Sequence, residues 1–281
     1  MLWPASDPST YGDTVYDSLM GFCGLLKAAA EEESALNEPE PDVPEEVLAL
    51  RKELAPIEIA LHPALRFLKK AKGDVGKAAK LYREMLEWRK QEQLDEEVIL
   101  SDAQRLALDT YYCPYVLEGT DLLGRPVMLT TMGALEIKPL EEAGVTERMM
   151  RRQHAKSMDK LIALIDASAN PELGHLLIID IGTATVSKFW ATQHILRDVH
   201  QIGDTYFPET LGKIVIVRAS PLVNTVMHAV NAFLDEDTRA KIEFASGDPD
   251  ETLRGLLPPT TRIPADSGIG PWPRPGTGSG A

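Results

Sequence analysis

The sequence has little cysteine and no long apolar run, and each absence excludes a class of protein. The only two cysteines, Cys23 and Cys113, have no metal-like spacing, which favours reduced thiols in a cytosolic protein and leaves a disulfide as the alternative. No apolar run approaches the roughly 20 residues that span a bilayer. No basic segment leads into an apolar one at the N-terminus, so we expect no signal peptide.

Positive charge is also scarce. The formal net charge of the 281 residues is -14, and residues 1–60 alone hold 13 acidic and 3 basic groups. Nucleic-acid binding is not expected, because it requires a clustered basic face. The acidic balance also disfavours a standing attraction to anionic membranes, so we expect any membrane contact to be transient.

The common catalytic and metal-binding motifs are missing as well. The sequence contains no G-x-S-x-G, no HExxH, no P-loop and no zinc-type pairing of Cys and His. The segment Gly276 to Gly280 is similar to a phosphate loop in composition only, since it follows no predicted strand and opens no predicted helix. We therefore expect neither an enzyme nor a bound cofactor.

The first third of the chain reads as helical. Residues 1–42 form an acidic extension that is partly helical or mobile, and Asp42 with Pro44 opens a predicted helix. Pro63 starts a second helix, and Asp74 caps a third with apolar residues at three-to-four spacing. These patterns predict a helical N-terminal lobe over residues 43–110.

From Tyr111 onward, strands alternate with helices. Two strand-like segments are joined by a loop rich in turn residues, which predicts a hairpin. A long helix from about Thr146 and another capped by Ser187 separate two buried strands. This alternation predicts an α/β domain with a mostly parallel sheet over residues 111–270. Residues 271–281 are a predicted disordered tail.

Seven short motifs follow one another between about Leu61 and Gly270, each of them weak alone. They are Leu65-Arg66-Phe67-Leu68 with Asp74; Leu86-Glu87-Trp88-Arg89; Gly119-Thr120-Asp121; Gly124-Arg125-Pro126-Val127; Ile178-Ile179-Asp180; Tyr206-Phe207-Pro208-Glu209 with Gly212-Lys213; and Phe233-Leu234-Asp235 with Thr238 and Lys241-Ile242. Their order and spacing resemble the CRAL-TRIO lipid-binding family, and within it the yeast-type phosphatidylinositol transfer branch.

The resemblance implies a fold and a moving part. The fold is a helical N-terminal lobe beside a mixed, mostly parallel five-stranded sheet, whose flanking helices enclose a hydrophobic lipid cavity. A mobile gate helix closes this cavity in the family, and residues 222–233 correspond to it by position. Their own pattern agrees, because one stripe is apolar and another is polar, although an ordinary surface helix gives the same pattern. The apolar stripe consists of Val223, Val226, Val230 and Phe233.

The resemblance also implies a site for the lipid headgroup. In phosphatidylinositol-binding members the corresponding positions hold the headgroup, and here they are Glu209, Thr238, Lys241 and Lys72, with Asp237 beside them. A lysine can neutralise a phosphodiester, and carboxylates can accept hydrogen bonds from inositol hydroxyls. The alternatives are structural: Glu209 and Lys241 form a surface ion pair, or Thr238 merely caps a helix turn.

Three departures from the family pattern bear on the ligand. His175 and Leu177 stand where members that also carry phosphatidylcholine have Ser and Thr, which leaves the second ligand open. Ile179 and Ile181 stand where a haem-binding branch has His and Tyr, so no haem is expected. Ala71 replaces a basic residue that often precedes the Lys72 position.

Two further features lie where the two buried strands end and their following loops begin. Arg218-Ala219-Ser220 replaces the usual Asn-Ala-Pro, which puts the local loop geometry in doubt. Asp180, at the end of an apolar strand, either orients the ligand or gate or caps the backbone amides of the next turn, and we favour the cap.

The sequence thus predicts a cytoplasmic protein that binds phosphatidylinositol and exchanges it between membranes during transient peripheral contact. One alternative keeps the fold and changes the ligand to a sterol or a tocopherol-like molecule. Another is a scaffold module with a vestigial cavity. In that case the acidic N-terminus would recruit partners. The expected partner is a phosphatidylinositol-like phospholipid, and the protein partners are left open.

Overall fold

A computed structural model describes most of the chain beyond the acidic extension. The described residues from Glu45 onward belong to one compact unit. The extension over residues 1–42, the gate residues Val223, Val226, Val230 and Phe233, and the tail over 271–281 lie outside the described residues. The predicted domain boundaries therefore stay predictions. The structure describes residues 43–112, 114–219, 234, 236–245 and 248–263.

Four described helices precede the sheet, where the sequence predicted three. They are α1 (Glu45–Leu54), α2 (Leu61–Lys70), α3 (Val75–Glu92) and α4 (Asp102–Tyr111). The helix α4 was not predicted, and α2 begins at Leu61, two residues before the predicted start at Pro63. The predicted cap of α3 is confirmed, because the Asp74 carboxylate accepts a hydrogen bond of 2.9 Å from the backbone of Lys77. Such a cap satisfies one of the amides that a helix leaves free at its start.

Five strands form one mixed sheet in the order β1-β2-β3-β4-β5. The first pair is the predicted antiparallel hairpin, and every later pair is parallel. The predicted fold class is therefore confirmed. The strands are β1 (Pro114–Thr120), β2 (Pro126–Thr131), β3 (His175–Asp180), β4 (Leu211–Val217) and β5 (Ile242–Phe244).

Five further described helices connect or flank these strands, and short 3-10 turns over Met132–Ala134 and Pro171–Leu173 precede α5 and β3. Since parallel strands need crossover connections, the longest helices lie between β2 and β3 and between β3 and β4. These helices are α5 (Ile137–Glu142), α6 (Glu147–Asp166), α7 (Val186–Tyr206), α8 (Glu236–Ala240) and α9 (Pro249–Leu256). None of the described helices is long and apolar enough to cross a membrane.

The N-cap predicted for α7 is wrong. The prediction placed it at Ser187, but the helix begins at Val186, and the Thr185 hydroxyl accepts the capping hydrogen bond of 3.2 Å from the backbone of Lys188. Thr185 and Ser187 both have a side-chain hydroxyl that can cap a helix. Ser187 lies inside the first turn, so its hydroxyl is not the one that reaches the free amides.

The two faces of the sheet have different roles. Alternate residues of β2, β3 and β4 face an apolar core that α9 completes with Leu253. The intervening residues form the opposite face, and one row of them runs across four strands in register: Met128, Leu177, Ile214 and Ile242. Because strand side chains alternate between faces, the continuous apolar runs of the sequence supply both surfaces.

An aromatic stack joins two of the family motifs. The Trp88 ring of α3 stacks on Tyr206 with ring centroids 4.1 Å apart, and it meets Phe207 edge-on at 6.0 Å. The adjacent Arg89 holds Asp159 of α6 through a hydrogen bond of 2.8 Å. Trp88 of the N-terminal lobe therefore anchors the end of α7, from which the chain continues to Glu209, and Arg89 anchors α6.

Candidate functional site

A cavity of about 790 Å³ lies against the face of the sheet that carries the Met128 row. Its walls come from α7, from the end of α4 and from α6. Most of the lining is apolar, and the volume falls in the upper part of the range of about 300–1,000 Å³ that is typical of ligand pockets. The apolar lining includes Met128, Leu177, Ile179, Ile214, Ile216, Phe189, Ile195, Leu196 and Val199.

All five residues predicted to hold a headgroup line this one cavity. Lys72 follows α2, Glu209 follows α7, and Asp237, Thr238 and Lys241 lie on or just after α8. The structure thus brings together residues that are up to 169 positions apart in the sequence, as their numbers 72 and 241 show. Their role in binding stays a prediction, whereas their position at one cavity is a property of the fold.

Ion pairs at this end of the cavity join residues other than those we expected. The alternative of a Glu209–Lys241 pair is not observed. Glu209 instead lies 2.9 Å from the Lys69 ammonium, and Lys241 lies 2.6 Å from Asp237. Lys72 forms no ion pair with any residue that the structure describes.

One further ion pair at this end was not predicted from the sequence. Lys70 of α2 binds Asp204 of α7, and both residues line the cavity. The basic run from Lys69 to Lys72 was the available signal, but only its last residue matched the family motif. The pairing with α7 depends on the tertiary arrangement, so the sequence could not show it.

Two of the predicted residues have an unusual backbone. Lys72 and Glu209 have φ values of 56° and 58°, in the left-handed region that residues other than glycine rarely adopt. Backbone conformations of this kind cost about 1 kcal/mol or more and cluster at functional sites. Lys72 adopts this conformation just after the C-terminus of α2, where helices commonly end in a left-handed residue. Glu209 adopts it in the turn between α7 and β4.

Close packing explains the glycine of the Gly212-Lys213 motif. A Cβ atom on Gly212 would lie 2.0 Å from the carbonyl oxygen of Leu173, so only glycine fits between β4 and the turn before β3. The preceding turn is held by the Thr210 hydroxyl, which donates to the Phe207 carbonyl at 2.9 Å. Glu209 therefore sits in a turn that is fixed on both sides.

Two buried histidines also line the cavity. The Nδ1 atom of His175 lies 2.7 Å from the Thr210 carbonyl oxygen, and burial lowers the pKa of His175 to about 4. Burial and the charge of His175 lower the pKa of His154 on α6 to about 4 as well. Sequence analysis noted His175 only for its missing hydroxyl, and nothing in the sequence singled out His154.

The predicted cap at Asp180 is confirmed. The Asp180 carboxylate is fully buried and accepts a hydrogen bond of 2.9 Å from the Gly182 backbone. It also binds the Arg218 guanidinium, whose Nε donates over 2.7 Å. Arg218 has a φ of 55°, and its pair with Asp180 occupies the place where the sequence departs from the family loop.

The comparison with known families agrees with the fold and the cavity. Residues 110–268, more than half of the chain, match the CRAL/TRIO domain. The protein therefore belongs to the CRAL-TRIO family, which confirms the predicted resemblance.

Individual relatives are moderately similar. The chain is 29% identical over 223 residues to the phosphatidylinositol/phosphatidylcholine transfer protein SFH9 of Arabidopsis thaliana, with 75% of this chain and 37% of that protein covered. It is 26% identical over 211 residues to the Sec14 cytosolic factor of Schizosaccharomyces pombe, with 73% and 72% covered.

Other relatives are much longer than the match. The chain is 27% identical over 188 residues to the real-time protein of Anopheles gambiae, with 65% of this chain and 27% of that protein covered. It spans only 27% to 37% of the length of the real-time and SFH9 proteins. The crystal structure of Sfh5 shares the fold, with a TM-score of 0.53, 15% identity and coverage of 78% of this chain and 72% of that one.

Proposed function

We propose that this protein binds a phospholipid, most specifically phosphatidylinositol, and exchanges it between membranes. The observation that carries the proposal is one cavity with an apolar body and a charged end that contains all five predicted headgroup residues. The similarity to named phosphatidylinositol/phosphatidylcholine transfer proteins supports the same ligand class.

The apolar body keeps the acyl chains out of water while the protein carries the lipid between membranes. Each CH₂ group exposed to water during transfer would cost about 0.8 kcal/mol. The row of Met128, Leu177, Ile214 and Ile242 forms a floor that presents no charge to an acyl chain. Two acyl chains laid along this floor would exchange the bilayer interior for a similar environment, so transfer needs no covalent step.

The charged end suits a phosphodiester linked to a polyol. Lys72 is the lysine of this end that has no ion-pair partner among the described residues, so its ammonium can neutralise the single phosphate charge. Lys241 can exchange Asp237, whose side chain is 72% exposed, for the phosphate. Glu209 and Asp237 supply acceptors for inositol hydroxyls. The proposed site of action is the cytoplasmic surface of a membrane, during transient contact.

Transfer of labelled phosphatidylinositol between donor and acceptor vesicles tests the proposal. We expect the wild type to transfer this lipid and Lys241→Ala to reduce the rate about tenfold, which corresponds to one lost charge-assisted hydrogen bond. Lys213→Ala is a matched control, because Lys213 also lies 2.6 Å from a carboxylate, that of Glu243, but does not line the cavity.

The two variants separate the possible outcomes. Equal transfer by wild type, Lys241→Ala and Lys213→Ala would contradict the headgroup assignment and leave lipid transfer standing. A wild type that transfers no phospholipid, and carries none after purification without detergent, would contradict the proposed function itself.

A further inference from the structure

Two histidines that no headgroup assignment uses lie at the wall and floor of the cavity. His154 on α6 is 6% exposed, and His175, the first residue of β3, is 4% exposed. Met158, one turn after His154, packs with Met128 and Leu177 in one apolar cluster. Leu177 lies two residues after His175 on the same face of β3, and both histidines line the cavity beside this cluster.

The hydrogen bond of His175 defines which of its nitrogens carries the proton. Its Nδ1 lies 2.7 Å from the carbonyl oxygen of Thr210, and a carbonyl can only accept. Nδ1 is therefore the donor, and Nε2 of the neutral ring is an acceptor. Within the described part of the chain, Nε2 has no hydrogen-bond partner.

His154 has no hydrogen-bond partner among the described residues either. Its neutral ring offers one N–H donor and one acceptor to the cavity that it lines. A buried polar side chain is normally paired with another polar group. Two such side chains at one wall of an otherwise apolar cavity indicate that the paired group belongs to a ligand.

We propose that His154 and His175 form a subsite that binds one hydroxyl group of a lipid. A hydroxyl matches both rings, since it can donate to Nε2 of His175 and accept from the N–H of His154. A choline group has no hydrogen-bond donor and an ester carbonyl only accepts, so neither satisfies His175.

Two kinds of lipid could supply this hydroxyl group, and both would make the same hydrogen bonds to the histidines. It belongs either to the inositol ring of the proposed phospholipid or to a neutral lipid such as a sterol. The inference rests on the proposed function only in requiring that the cavity holds a lipid.

Three substitutions in the full chain test the subsite. His175→Asn keeps an amide N–H that can reach the Thr210 carbonyl but removes the Nε2 acceptor. His154→Leu removes both ring nitrogens, and His154→Gln keeps a donor and an acceptor. His194→Asn is the control, because His194 is half exposed and does not line the cavity.

The measurement is the affinity for cholesterol, for its methyl ether and for phosphatidylinositol, by displacement of a fluorescent lipid. If the hydroxyl comes from a neutral lipid, the wild type binds cholesterol about tenfold more tightly than the ether, which cannot donate. This preference disappears in His175→Asn and His154→Leu and is retained in His154→Gln and His194→Asn. If the hydroxyl comes from inositol, cholesterol does not bind, and the same two variants bind phosphatidylinositol about tenfold more weakly.

Other outcomes overturn the proposal in distinguishable ways. Normal affinity of the folded His175→Asn and His154→Leu proteins for both lipids means that the histidines are structural, while the proposed function survives. A wild type that binds none of the three lipids contradicts the subsite and the proposed function together. Thermal melting shows whether each variant is folded. If His154→Leu does not fold, the lipid affinities of His175→Asn alone decide whether the subsite exists.

Discussion

At the scale of single residues, the backbone conformation of Glu209 allows the effect of its carboxylate on lipid binding to be measured separately from its effect on stability. Its φ of 58° suits asparagine, which tolerates the left-handed region, and opposes β-branched residues. Of the five residues predicted to hold the headgroup, Glu209 and Lys72 have this backbone conformation. Substitutions at this position can therefore remove the carboxylate with or without straining the turn.

We expect Glu209→Asn and Glu209→Val to lose phosphatidylinositol affinity alike, by about tenfold, because both remove the charged carboxylate that accepts hydrogen bonds from the inositol hydroxyls. Only the valine should destabilise the protein, by about 1–2 kcal/mol, since its branched side chain opposes the backbone conformation. Lipid displacement and urea unfolding of both variants check this. Wild-type affinity in the asparagine variant would contradict the assigned role of Glu209.

The buried histidines make stability depend on pH. Their pKa values of about 4 lie below the ordinary 6.5, so the unfolded chain binds more protons than the folded one between these values. The stability from keeping the rings neutral is fully present above pH 6.5 and is lost as the pH falls towards 4. At pH 5 the loss amounts to about 2 kcal/mol for one histidine.

We expect His154→Leu to reduce this loss. The free energy of unfolding should fall less between pH 7.5 and pH 5 in the variant than in the wild type, by about 2 kcal/mol. Urea titrations at the two pH values give the comparison, in which the other ionisable groups cancel. An identical pH dependence of the two proteins would show that His154 is already charged or accessible to water in the folded state.

At the scale of elements, the hairpin of β1 and β2 is closed by a buried ion pair. Asp121 lies 2.6 Å from Arg125, and its carboxylate also accepts from the backbone amides of Leu123 and Arg125. Both charged side chains are more than nine-tenths buried. The Gly-Thr-Asp and Gly-Arg-Pro motifs of the sequence are therefore structural parts of one turn.

We expect Asp121→Ala to destabilise the protein by about 3–5 kcal/mol, because it leaves the Arg125 charge buried and unpaired. Asp237→Ala is the matched control: Asp237 also pairs with a residue four positions later at 2.6 Å, but its side chain is 72% exposed. That variant should lose at most about 1 kcal/mol. Equal losses in urea unfolding would mean that burial does not determine the strength of these pairs.

Helix starts and buried strands could be predicted from the sequence because they depend on neighbouring residues. Asp74 caps α3 through a hydrogen bond to an amide three residues later, and the continuous apolar runs of β3 and β4 indicate buried strands. The cap of α7 was misplaced by two residues because Thr185 and Ser187 are chemically alike. Local patterns thus locate elements well but do not choose between equivalent neighbours.

The site was only partly predictable, because its remaining contacts join distant elements. Lys72, Glu209 and Lys241 could be assigned because their positions match the family motifs. The pair of Lys69 with Glu209 joins α2 to the end of α7, and His154 of α6 and His175 of β3 line the same cavity. Periodicity carries no information about such pairs, since neither partner is unusual in its own segment.

At the scale of the whole molecule, one sheet separates a solid core from a cavity. Leu176 is fully buried on the core side, and the next residue, Leu177, lines the cavity. Adjacent leucines in one strand therefore meet opposite surroundings. A larger side chain should therefore reduce lipid uptake at Leu177 and reduce the stability of the protein at Leu176.

We expect Leu177→Trp to occupy space needed by acyl chains and to reduce lipid uptake severalfold with little change in stability. Leu176→Trp should instead overpack the core and cost about 1–3 kcal/mol. Lipid transfer and urea unfolding of the two variants give the test. Unimpaired uptake by the folded Leu177→Trp protein would place the lipid elsewhere.

The self-paired charges at the end of the cavity have a kinetic consequence. In the proposed function, Lys241 returns to Asp237 when a phospholipid leaves, and Lys69 retains Glu209, so the departure exposes few bare charges. Lys241 and Lys69 each keep a resident counterion that would compete with a phospholipid for the lysine. We expect such competition to raise the rate of release at the expense of affinity.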